Sequence, residues 1–464
     1  MKAVIVIQIY GMPLASVFSC DSLMVDNIII HGREKTKIWV MHQEARVTKG
    51  QKIAKQDLDS RIKEMQTDLI RTNLFASVEC EYRIIEEQPC LLEIHFFIEE
   101  SWLLMASPIF ELSDKNFTVW WDLYDRSLDR VNYGIKVFHY NLTGRKDRFK
   151  LKAHSGFTNK FELSYDYPYI NRKHNVGLWA GGLYSTTKEL NIMTLDNQQV
   201  FYRNESQFLQ SRASFFAQLK YRPSRYYTFS FMTEYHSFKI HGEVYERNPD
   251  YLSLGKTNLN YFQNRLNAKY SSVDLEVRPT EGFKLAGSVL FVNATNYKPL
   301  SLIQFTQEML VAQSFNSRLR WVTDFNFGQT IGTERLPYLF SRALGYLYDT
   351  EGYEYYVLDG LHFFHSSTGV FYKLFSYKRN FFKILGSEPR IKINIIVDLK
   401  LNGNLAYVYN PWQDYTNTLT NTMLRSVSAG FDILLNQSLK LQLNYSLNHL
   451  GQSGFFIQSK SAFR

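Results

Sequence analysis

Short segments in which apolar and polar residues alternate fill the chain from about residue 100 to its end. Clear examples are residues 161–167, 319–327 and 391–397. A period of two places successive side chains on opposite faces of a strand. Segments of about ten such residues, separated by polar or Gly-containing turns, are typical of transmembrane barrel strands. We therefore expect a membrane all-β fold, an antiparallel barrel of about sixteen strands over residues 101–464.

The composition agrees with a barrel and argues against helices that span a membrane. Aromatic residues make up 16% of the 464 residues, yet the mean hydropathy is −0.28. A membrane helix needs roughly 20 consecutive apolar residues, and beyond the N-terminus no stretch comes close. The net charge of +9 is spread along the chain without a basic run, so nothing points to nucleic acid. A soluble β-sandwich enzyme would fit the same composition, so composition alone does not decide the fold.

The first twenty residues, 1–20, have the layout of a secretory signal peptide. Lys2 precedes a mostly apolar stretch that ends near Cys20, and this stretch is too short to span a membrane. A buried N-terminal strand is the alternative, and Cys20 leaves lipid modification open, although the residues before it match poorly. The chain has only 3 cysteines, too few for a disulfide scaffold. We interpret Cys80 and Cys90 as small apolar fillers.

Residues 21–100 predict a small α/β domain of order β-α-α-β-β, because helical spacing in their first half gives way to alternation in their second. The predicted elements are strand 27–31, helix 34–45, helix 58–69, strand 78–84 and strand 92–98. With Gly32, Gly50 and the segment 73–75, this order resembles a POTRA domain, the periplasmic module of outer-membrane assembly and secretion barrels. The resemblance implies a free sheet edge to which a client segment adds as a strand. A plain spacer with a covered edge is the alternative.

A long connection at residues 329–361 follows the eleventh predicted strand and precedes the twelfth. Together with Trp120-Trp121 and the segments 132–135, 141–144 and 445–451, it makes the chain resemble the BamA/TamA-type outer-membrane superfamily (the bacterial surface antigen family), as a member with a single POTRA domain. The resemblance implies that this extracellular loop folds back into the barrel lumen.

The tip of this loop departs from the pattern of the superfamily. There the tip reads Val/Leu-Arg-Gly-Phe/Tyr, and its Arg contacts an Asp on a neighbouring strand. Aligned on Gly352-Tyr353, the Arg position is Glu351, and the strand motif falls on residues 402–404. A carboxylate and an amide can share a hydrogen bond, so we expect the loop to dock. The expected motif is Glu351, Gly352, Tyr353, Tyr355 and Tyr356, with Asn404 as its partner. A solvated Glu351 and a lost docking function are the alternative.

The resemblance also implies a weak seam between the first and last strands, here about residues 103–112 and 454–459. Pro108 removes one ladder donor from the first strand, and Gly451 and Gly454 loosen the start of the last one. A seam that opens sideways would expose unpaired backbone to an incoming client strand. Alternatively, Pro108 simply lies at the start of a strand in a barrel that stays closed.

No catalytic signature stands out in the sequence. It contains no His-Glu-x-x-His, Cys-x-x-Cys, Walker or Gly-x-Ser-x-Gly motif. His362 and His365 would face opposite sides of one strand, and we interpret Asp122 and Asp125 as loop residues. We therefore expect neither an enzyme nor a cofactor.

The function that the resemblance implies is assembly, insertion or translocation of polypeptides at the outer membrane of a Gram-negative bacterium, with the N-terminal domain in the periplasm. The implied partners are client outer-membrane or secreted polypeptides, periplasmic proteins or lipoproteins, and outer-membrane lipid. Two alternatives stay open: a secretion pore dedicated to one partner, and an accessory barrel subunit of a larger complex that does not itself translocate.

Overall fold

The computed structural model describes residues 20–461 apart from short gaps. The gaps are residues 73, 86–89, 102, 114–116, 172, 253–254, 297–299, 333–334, 347, 382–390, 413–414 and 436–438. The expected signal peptide up to residue 19 and the Pro89 turn therefore lie outside the described residues. The described chain divides into two compact units, residues 20–103 with 143–146, and residues 104–142 with 147–461. None of its described helices is long and apolar enough to cross a membrane.

The first unit is an α/β domain with a four-stranded sheet. Its elements are β1 (Ser22–His31), α1 (Ile38–Ala45), β2 (Lys52–Ala54), a single 3-10 turn (Lys55–Asp57), α2 (Leu58–Arg71), β3 (Phe75–Ile84) and β4 (Leu91–Glu100). The sheet order is β2-β1-β4-β3, with β1 parallel to β4. Alternate residues of β4, such as Ile94 and Phe96, are buried in one core with Met65 and Leu69 of α2. The predicted α/β domain is confirmed, with the short strand β2 in addition.

The interpretation of Cys90 as an apolar filler is wrong. Cys90 forms a disulfide with Cys20, and their Cα atoms are 5.7 Å apart. The reason is the parallel pairing of β1 and β4, which sets Met24 opposite Leu91 and so brings the residues before both strands together. Cys20, which the sequence assigns to the end of the signal peptide, therefore belongs to the folded domain. Cys80 is free and packs against the core.

The second unit contains twenty strands and two short helices among its described residues. In chain order they are β5 (Leu104–Leu112), α3 (Phe117–Leu123), β6 (Val131–Tyr140), β7 (Arg148–Gly156), β8 (Thr158–Tyr167), β9 (Val176–Thr187), β10 (Glu189–Leu195), β11 (Gln198–Arg203), β12 (Gln210–Tyr221), β13 (Tyr227–Ile240), α4 (Gly242–Arg247), β14 (Asn258–Ser271), β15 (Gly282–Ala294), β16 (Ser301–Ser314), β17 (Leu319–Gly332), β18 (Arg342–Leu344), β19 (Leu358–Asp359), β20 (His362–Phe381), β21 (Ile391–Tyr409), β22 (Leu424–Leu435), β23 (Leu439–Asn448) and β24 (Ser453–Ser461).

Sixteen of these strands form one antiparallel sheet, which confirms the predicted fold class and strand number. The other four form two hairpins, β10–β11 and β18–β19. Along the wall, the outward positions carry exposed large apolar side chains such as Phe231, Leu266 and Phe327. The inward positions of β21 carry the buried polar residues Asp398 and Lys400. An apolar outer band around a polar interior is the pattern of a membrane barrel.

The two ends of the barrel differ in how the strands are connected. We call the end where β5 begins the near end and the opposite one the far end. Because successive strands are antiparallel, the short turns at residues 222–226, 272–281 and 315–318 lie at the near end. The far end carries α3, the hairpin β10–β11, α4 and the long loop between β17 and β20. As expected, that loop follows the eleventh strand of the sheet and precedes the twelfth.

The far-end connections pack on one another through a second hydrophobic core. Leu209, Tyr251, Leu252 and Leu259 are each almost fully buried in this cluster. The tip of hairpin β10–β11 also bonds to two other far-end connections through Asn197. Its carbonyl accepts from the Val357 amide (2.8 Å), and its side chain accepts from the Leu419 amide (3.0 Å).

Candidate functional site

The long far-end loop, residues 333–361, reaches the wall formed by the last strands of the sheet. It begins with a 3-10 turn (Tyr338–Phe340) and then forms the hairpin β18–β19, whose strands pair Arg342 with Asp359. The hairpin connection carries the expected docking motif to the inner face of β21, β22 and β23. The inward polar residues of these strands lie side by side, since Asn402 is opposite Ser428 and Ser428 is opposite Ser446.

The carboxylate of Glu351 is held by side chains from three strands. It accepts hydrogen bonds from Lys400 Nζ (2.5 Å), Asn402 Nδ2 (3.2 Å) and Asn444 Nδ2 (3.3 Å), and also from the Ser428 hydroxyl. Burial acts to raise the pKa of Glu351, but the Lys400 ammonium and the hydrogen bonds outweigh it and hold the pKa below its ordinary value. The loop is thus anchored by an ionised acid facing a buried ammonium.

The partner predicted for Glu351 is wrong. Asn404 donates to the Ser426 hydroxyl (3.3 Å) rather than to Glu351, and Ser426 in turn donates to the backbone carbonyl of Glu351. Asn404 is directly opposite Ser426 in the β21–β22 register, so the Ser426 hydroxyl is the acceptor that lies next to its amide. The carboxylate lies further along β21, where an ammonium is available. Asn404 therefore supports the docked loop through Ser426.

Sequence reasoning missed Lys400, the strongest partner of the loop. Lys400 is two residues before Asn402, so strand periodicity places both on the same face of β21. Its side chain is 1% exposed and also lies 3.7 Å from Asp432. A search for cationic residues on the inward face of the thirteenth strand would have found it, whereas the superfamily motif directs attention to residues 402–404 alone.

Gly352 allows the loop tip to approach the wall closely. It has a φ of +91°, and a Cβ built on it would lie 2.9 Å from the Ser426 Cβ. Its carbonyl accepts from Asn448 Nδ2 (2.8 Å), and its amide donates to the Glu354 carboxylate (2.8 Å). A side chain at this position would therefore meet both backbone strain and a steric contact.

The three tyrosines of the motif contact different parts of the last strands. Tyr353 is 2% exposed, and its hydroxyl bonds to the backbone of Arg425 and to the His449 ring. The Tyr356 hydroxyl donates to Gln452 (2.9 Å) in the turn before β24. Tyr355 contacts helix α3 and β24 at the seam. All three expected motif tyrosines thus lie against the end of the sheet.

The seam is the place where the ladder of the sheet is interrupted. Every other consecutive strand in the sheet order is paired, but among the described residues no backbone ladder joins β5 to β24. Ile109 is the one buried residue of β5, and Pro108 lies within that strand opposite Ile135. Gly454 is the second residue of β24, opposite Ser446, and Gly451 has a φ of +77° in the preceding turn. The described edge strands are therefore both open on their facing sides.

Helix α3, which follows β5, lies against the open side of β24. The Ile457 amide donates to the Thr118 hydroxyl (3.3 Å), which satisfies one ladder donor of the edge. Asp122, which the sequence places in a loop, belongs to this helix and accepts from the Tyr355 hydroxyl (2.7 Å). The Tyr355 ring also meets Phe456 edge-on at 5.3 Å. The docked loop, α3 and the last strand therefore meet at the seam.

Within the part of the chain that the structure describes, no group of three or more His, Cys, Asp or Glu side chains is arranged to hold a metal ion. The site is instead a set of hydrogen bonds, one buried ion pair and unpaired strand edges. Such an arrangement can hold or release a loop and can accept a further β-strand.

Comparison with known proteins identifies the fold through structure. No family model and no curated protein matches the sequence. The crystal structure of BamA from Haemophilus ducreyi lacking POTRA domains 1–3 is similar over 94% of this chain and 84% of that chain, with a TM-score of 0.58 at 13% identity. CdiB from Escherichia coli (97% and 91% covered, TM-score 0.48, 9% identity) and CdiB from Acinetobacter baumannii (95% and 74% covered, TM-score 0.49, 10% identity) also match. The chain thus has the fold of the BamA barrel with a preceding α/β domain.

Proposed function

We propose that this chain is an outer-membrane barrel that inserts client polypeptides into the membrane or moves them across it, by pairing with client β-strands. The observation that carries the proposal is the pair of unpaired edges, β5 and β24, in a sheet whose other neighbours are all laddered. In lipid an open edge leaves costly unsatisfied backbone groups. A client strand added at the seam would satisfy them, so the pairing itself supplies the driving force without nucleotide or cofactor.

The N-terminal domain offers a second edge for the same chemistry. Strand β3 is the outer strand of its sheet and is paired only with β4 among the described residues. An extended client segment can add to such an edge through main-chain hydrogen bonds. The Cys20–Cys90 disulfide supports an oxidising compartment such as the periplasm for this domain. We therefore infer that β3 binds a client before the barrel does, as opposed to acting as a covered spacer.

Photo-crosslinking tests the seam directly. A photoreactive phenylalanine analogue replaces Phe455 on β24, and a control replaces Phe231 on β13; these residues are 54% and 42% exposed. Both probes face outward, but β13 is paired on both sides. Adducts with newly made outer-membrane proteins are expected at position 455 and not at 231. Equal yields at the two positions would contradict strand capture at the seam.

The same design tests the edge of the N-terminal domain. Tyr82 on the edge strand β3 and Phe97 on the central strand β4 are exposed to a similar extent, 39% and 40%. A photoreactive analogue at position 82 should give client adducts that the analogue at 97 does not give. Adducts at 97 alone would indicate that the sheet face, and not the edge, contacts the client.

A pore dedicated to one secreted partner and an accessory subunit are the rival functions. The contacts of Asn197 with two other far-end connections, and the loop anchored by Glu351, favour a barrel that works with its lumen occupied over an open conduit. Depletion separates the three functions. Loss of many outer-membrane proteins from the proteome supports insertion, loss of one exported protein supports a dedicated pore, and no loss supports an accessory role.

A further inference from the structure

A second charged cluster lies on the inward face of β21, centred on Asp398, which is two residues closer to the near end than Lys400. Arg278, in the turn between β14 and β15, forms two hydrogen bonds with the carboxylate of Asp398 on β21. Its Nε donates to Oδ2 (2.7 Å) and its Nη2 donates to Oδ1 (2.8 Å). Arg320 of β17 lies 2.9 Å from the same carboxylate. Asp398 is 1% exposed. One buried acid therefore serves two arginines.

This cluster borders a cavity of about 570 Å³ lined by Arg278, Arg318, Arg320, Lys373 and Glu281, among other residues. No described carboxylate forms an ion pair with Arg318 or Lys373. Four cationic side chains thus face two carboxylates, those of Asp398 and Glu281. Asp432 is opposite Asp398, but its carboxylate is already paired with Lys400 and Lys440. The cavity has an excess of two positive charges, which favours the binding of an anion.

Hydrogen bonding gives a second and independent sign of an anion-binding site. Arg320 is 4% exposed, and its Nε is buried without a hydrogen-bond partner among the described residues. The guanidinium also lies over the Phe371 ring at 4.4 Å, which fixes its plane. Burying a charged donor without an acceptor is costly. The charge balance and the unpaired donor therefore point to the same ligand, an anion with several acceptor oxygens.

We propose that this cavity binds a phosphate group. Guanidinium forks match the oxygens of phosphate, and an ammonium adds a point charge. The volume lies within the range of about 300–1,000 Å³ that is usual for small-molecule sites, so there is room for an ester beyond the phosphate itself. In the orientation of the proposed function, the near end faces the periplasm. The phosphate then comes either from a soluble phosphate ester or from a phospholipid headgroup of the inner leaflet.

The cavity is built to keep its shape without the ligand. The side chain of Asn316 accepts from the Arg318 and Leu319 amides (both 2.8 Å), and the Arg318 carbonyl accepts from the Lys373 amide (2.8 Å). The Ser314 hydroxyl donates to the Thr280 carbonyl (3.0 Å), which ties the two turns together. These hydrogen bonds fix the backbone of the residues that carry the cationic side chains.

Binding of sn-glycerol 3-phosphate to the full chain, purified in a phosphate-free non-ionic detergent, tests the proposal by calorimetry. The variants Lys373→Met and Arg318→Gln each remove one unpaired charge from the cavity, and each should weaken binding by about tenfold or more. Arg222→Gln removes the same charge from another near-end turn and should leave the affinity unchanged. The two cavity variants are independent, so misfolding of one leaves the other to decide.

Native mass spectrometry identifies the source of the phosphate. A phospholipid retained by the wild type and lost in Lys373→Met supports a lipid headgroup, and calorimetric binding without a retained lipid supports a soluble ester. The proposal is overturned if the wild type binds neither glycerol 3-phosphate nor phospholipid. It is equally overturned if Arg222→Gln weakens binding as much as the cavity variants do.

Discussion

Lys400 and Asp398 are two residues apart on the inward face of β21, and each is the centre of a buried charge cluster. Lys400 binds Glu351 of the far-end loop and lies near Asp432, which in turn lies 3.4 Å from Lys440. Two cations there face two acids. Asp398 binds Arg278 of a near-end turn together with Arg320, so one acid faces two cations. The balanced cluster holds a loop by itself, whereas the unbalanced one has room for a ligand.

The largest effect is expected when the balanced cluster loses its central cation. Lys400→Met leaves the Glu351 carboxylate buried without a counterion, which should cost about 3–5 kcal/mol of loop docking. Hydrogen exchange of amides 348–357 should accelerate accordingly. Adding Glu351→Gln to this variant should restore much of the protection against exchange, because the buried carboxylate without a counterion is then replaced by a neutral amide. Lys284→Met, which breaks the separate pair with Glu308, is the control. Unchanged exchange in Lys400→Met would show that the ion pair does not hold the loop.

The near-end cluster should respond differently to loss of a cation. Arg278→Met leaves Arg320 and Asp398 as a balanced ion pair. The free energy of unfolding should therefore fall by only about 1–3 kcal/mol, which is the contribution of the hydrogen bonds lost from a charged donor. Asp398→Asn leaves two buried cations without an acid and should cost about 3–5 kcal/mol. Urea unfolding in detergent measures both changes. Equal losses in the two variants would contradict the one-acid, two-cation arrangement.

The shape of the loop tip sets the next effect. Gly352→Ala places a Cβ 2.9 Å from the Ser426 Cβ at a φ of +91°, and the backbone strain alone should cost about 1–3 kcal/mol. Gly403→Ala is the matched control on β21, because a Cβ there meets no atom within 4 Å. Thermal unfolding and loop exchange should change in the first variant only. Tolerance of alanine at 352 would mean that the tip is not held against the wall.

At the seam, one hydrogen bond should have a small and local effect. Thr118→Val keeps the shape of the side chain but removes the acceptor of the Ile457 amide, which should cost about 0.5–1.5 kcal/mol. Exchange of the Ile457 amide should accelerate, while the Leu443 amide in the interior of the sheet serves as the internal reference. If both amides accelerate together, α3 acts on the whole sheet and not on its edge.

The last expected effect depends on pH and comes from Asp359, which contrasts with Glu351 on the same loop. Burial outweighs the hydrogen bonds from Thr194 and Tyr346 and the charge of Arg342, and it raises the pKa of Asp359 from 3.8 to about 6. Between these two values the docked hairpin binds more protons than the released one. The stability of the hairpin should therefore fall as the pH rises from about 4 to 6 and change little above that range.

Asp359→Asn, which does not titrate, should flatten this dependence. Hydrogen exchange of hairpin β18–β19 at several pH values measures it in both proteins. A pH dependence that is the same in the variant would assign the effect to another group.

Much of the architecture could be predicted from the sequence, because it follows from local periodicity. Alternation at residues 319–327 and 391–397 depends only on which face of a strand each side chain occupies, and it was sufficient to predict the sheet and its sixteen strands. The helical spacing of residues 58–69 likewise predicted α2. Elements with few residues were missed, as for α3 and β2, since a short segment contains too little of a period to detect.

The partners of the site, in contrast, were decided by tertiary structure. Glu351 and Lys400 are far apart in sequence, and only the register of β21, β22 and β23 determines that the carboxylate meets Lys400 and that Asn404 meets Ser426. The pairing of Cys20 with Cys90 likewise depends on the parallel alignment of β1 and β4. The sequence by itself thus determined the strands of the barrel sheet, the α/β domain and the position of the long loop between the eleventh and twelfth strands. Which charges meet was settled by the fold, because electrostatic contacts depend on distances of a few ångströms that strand periodicity does not specify.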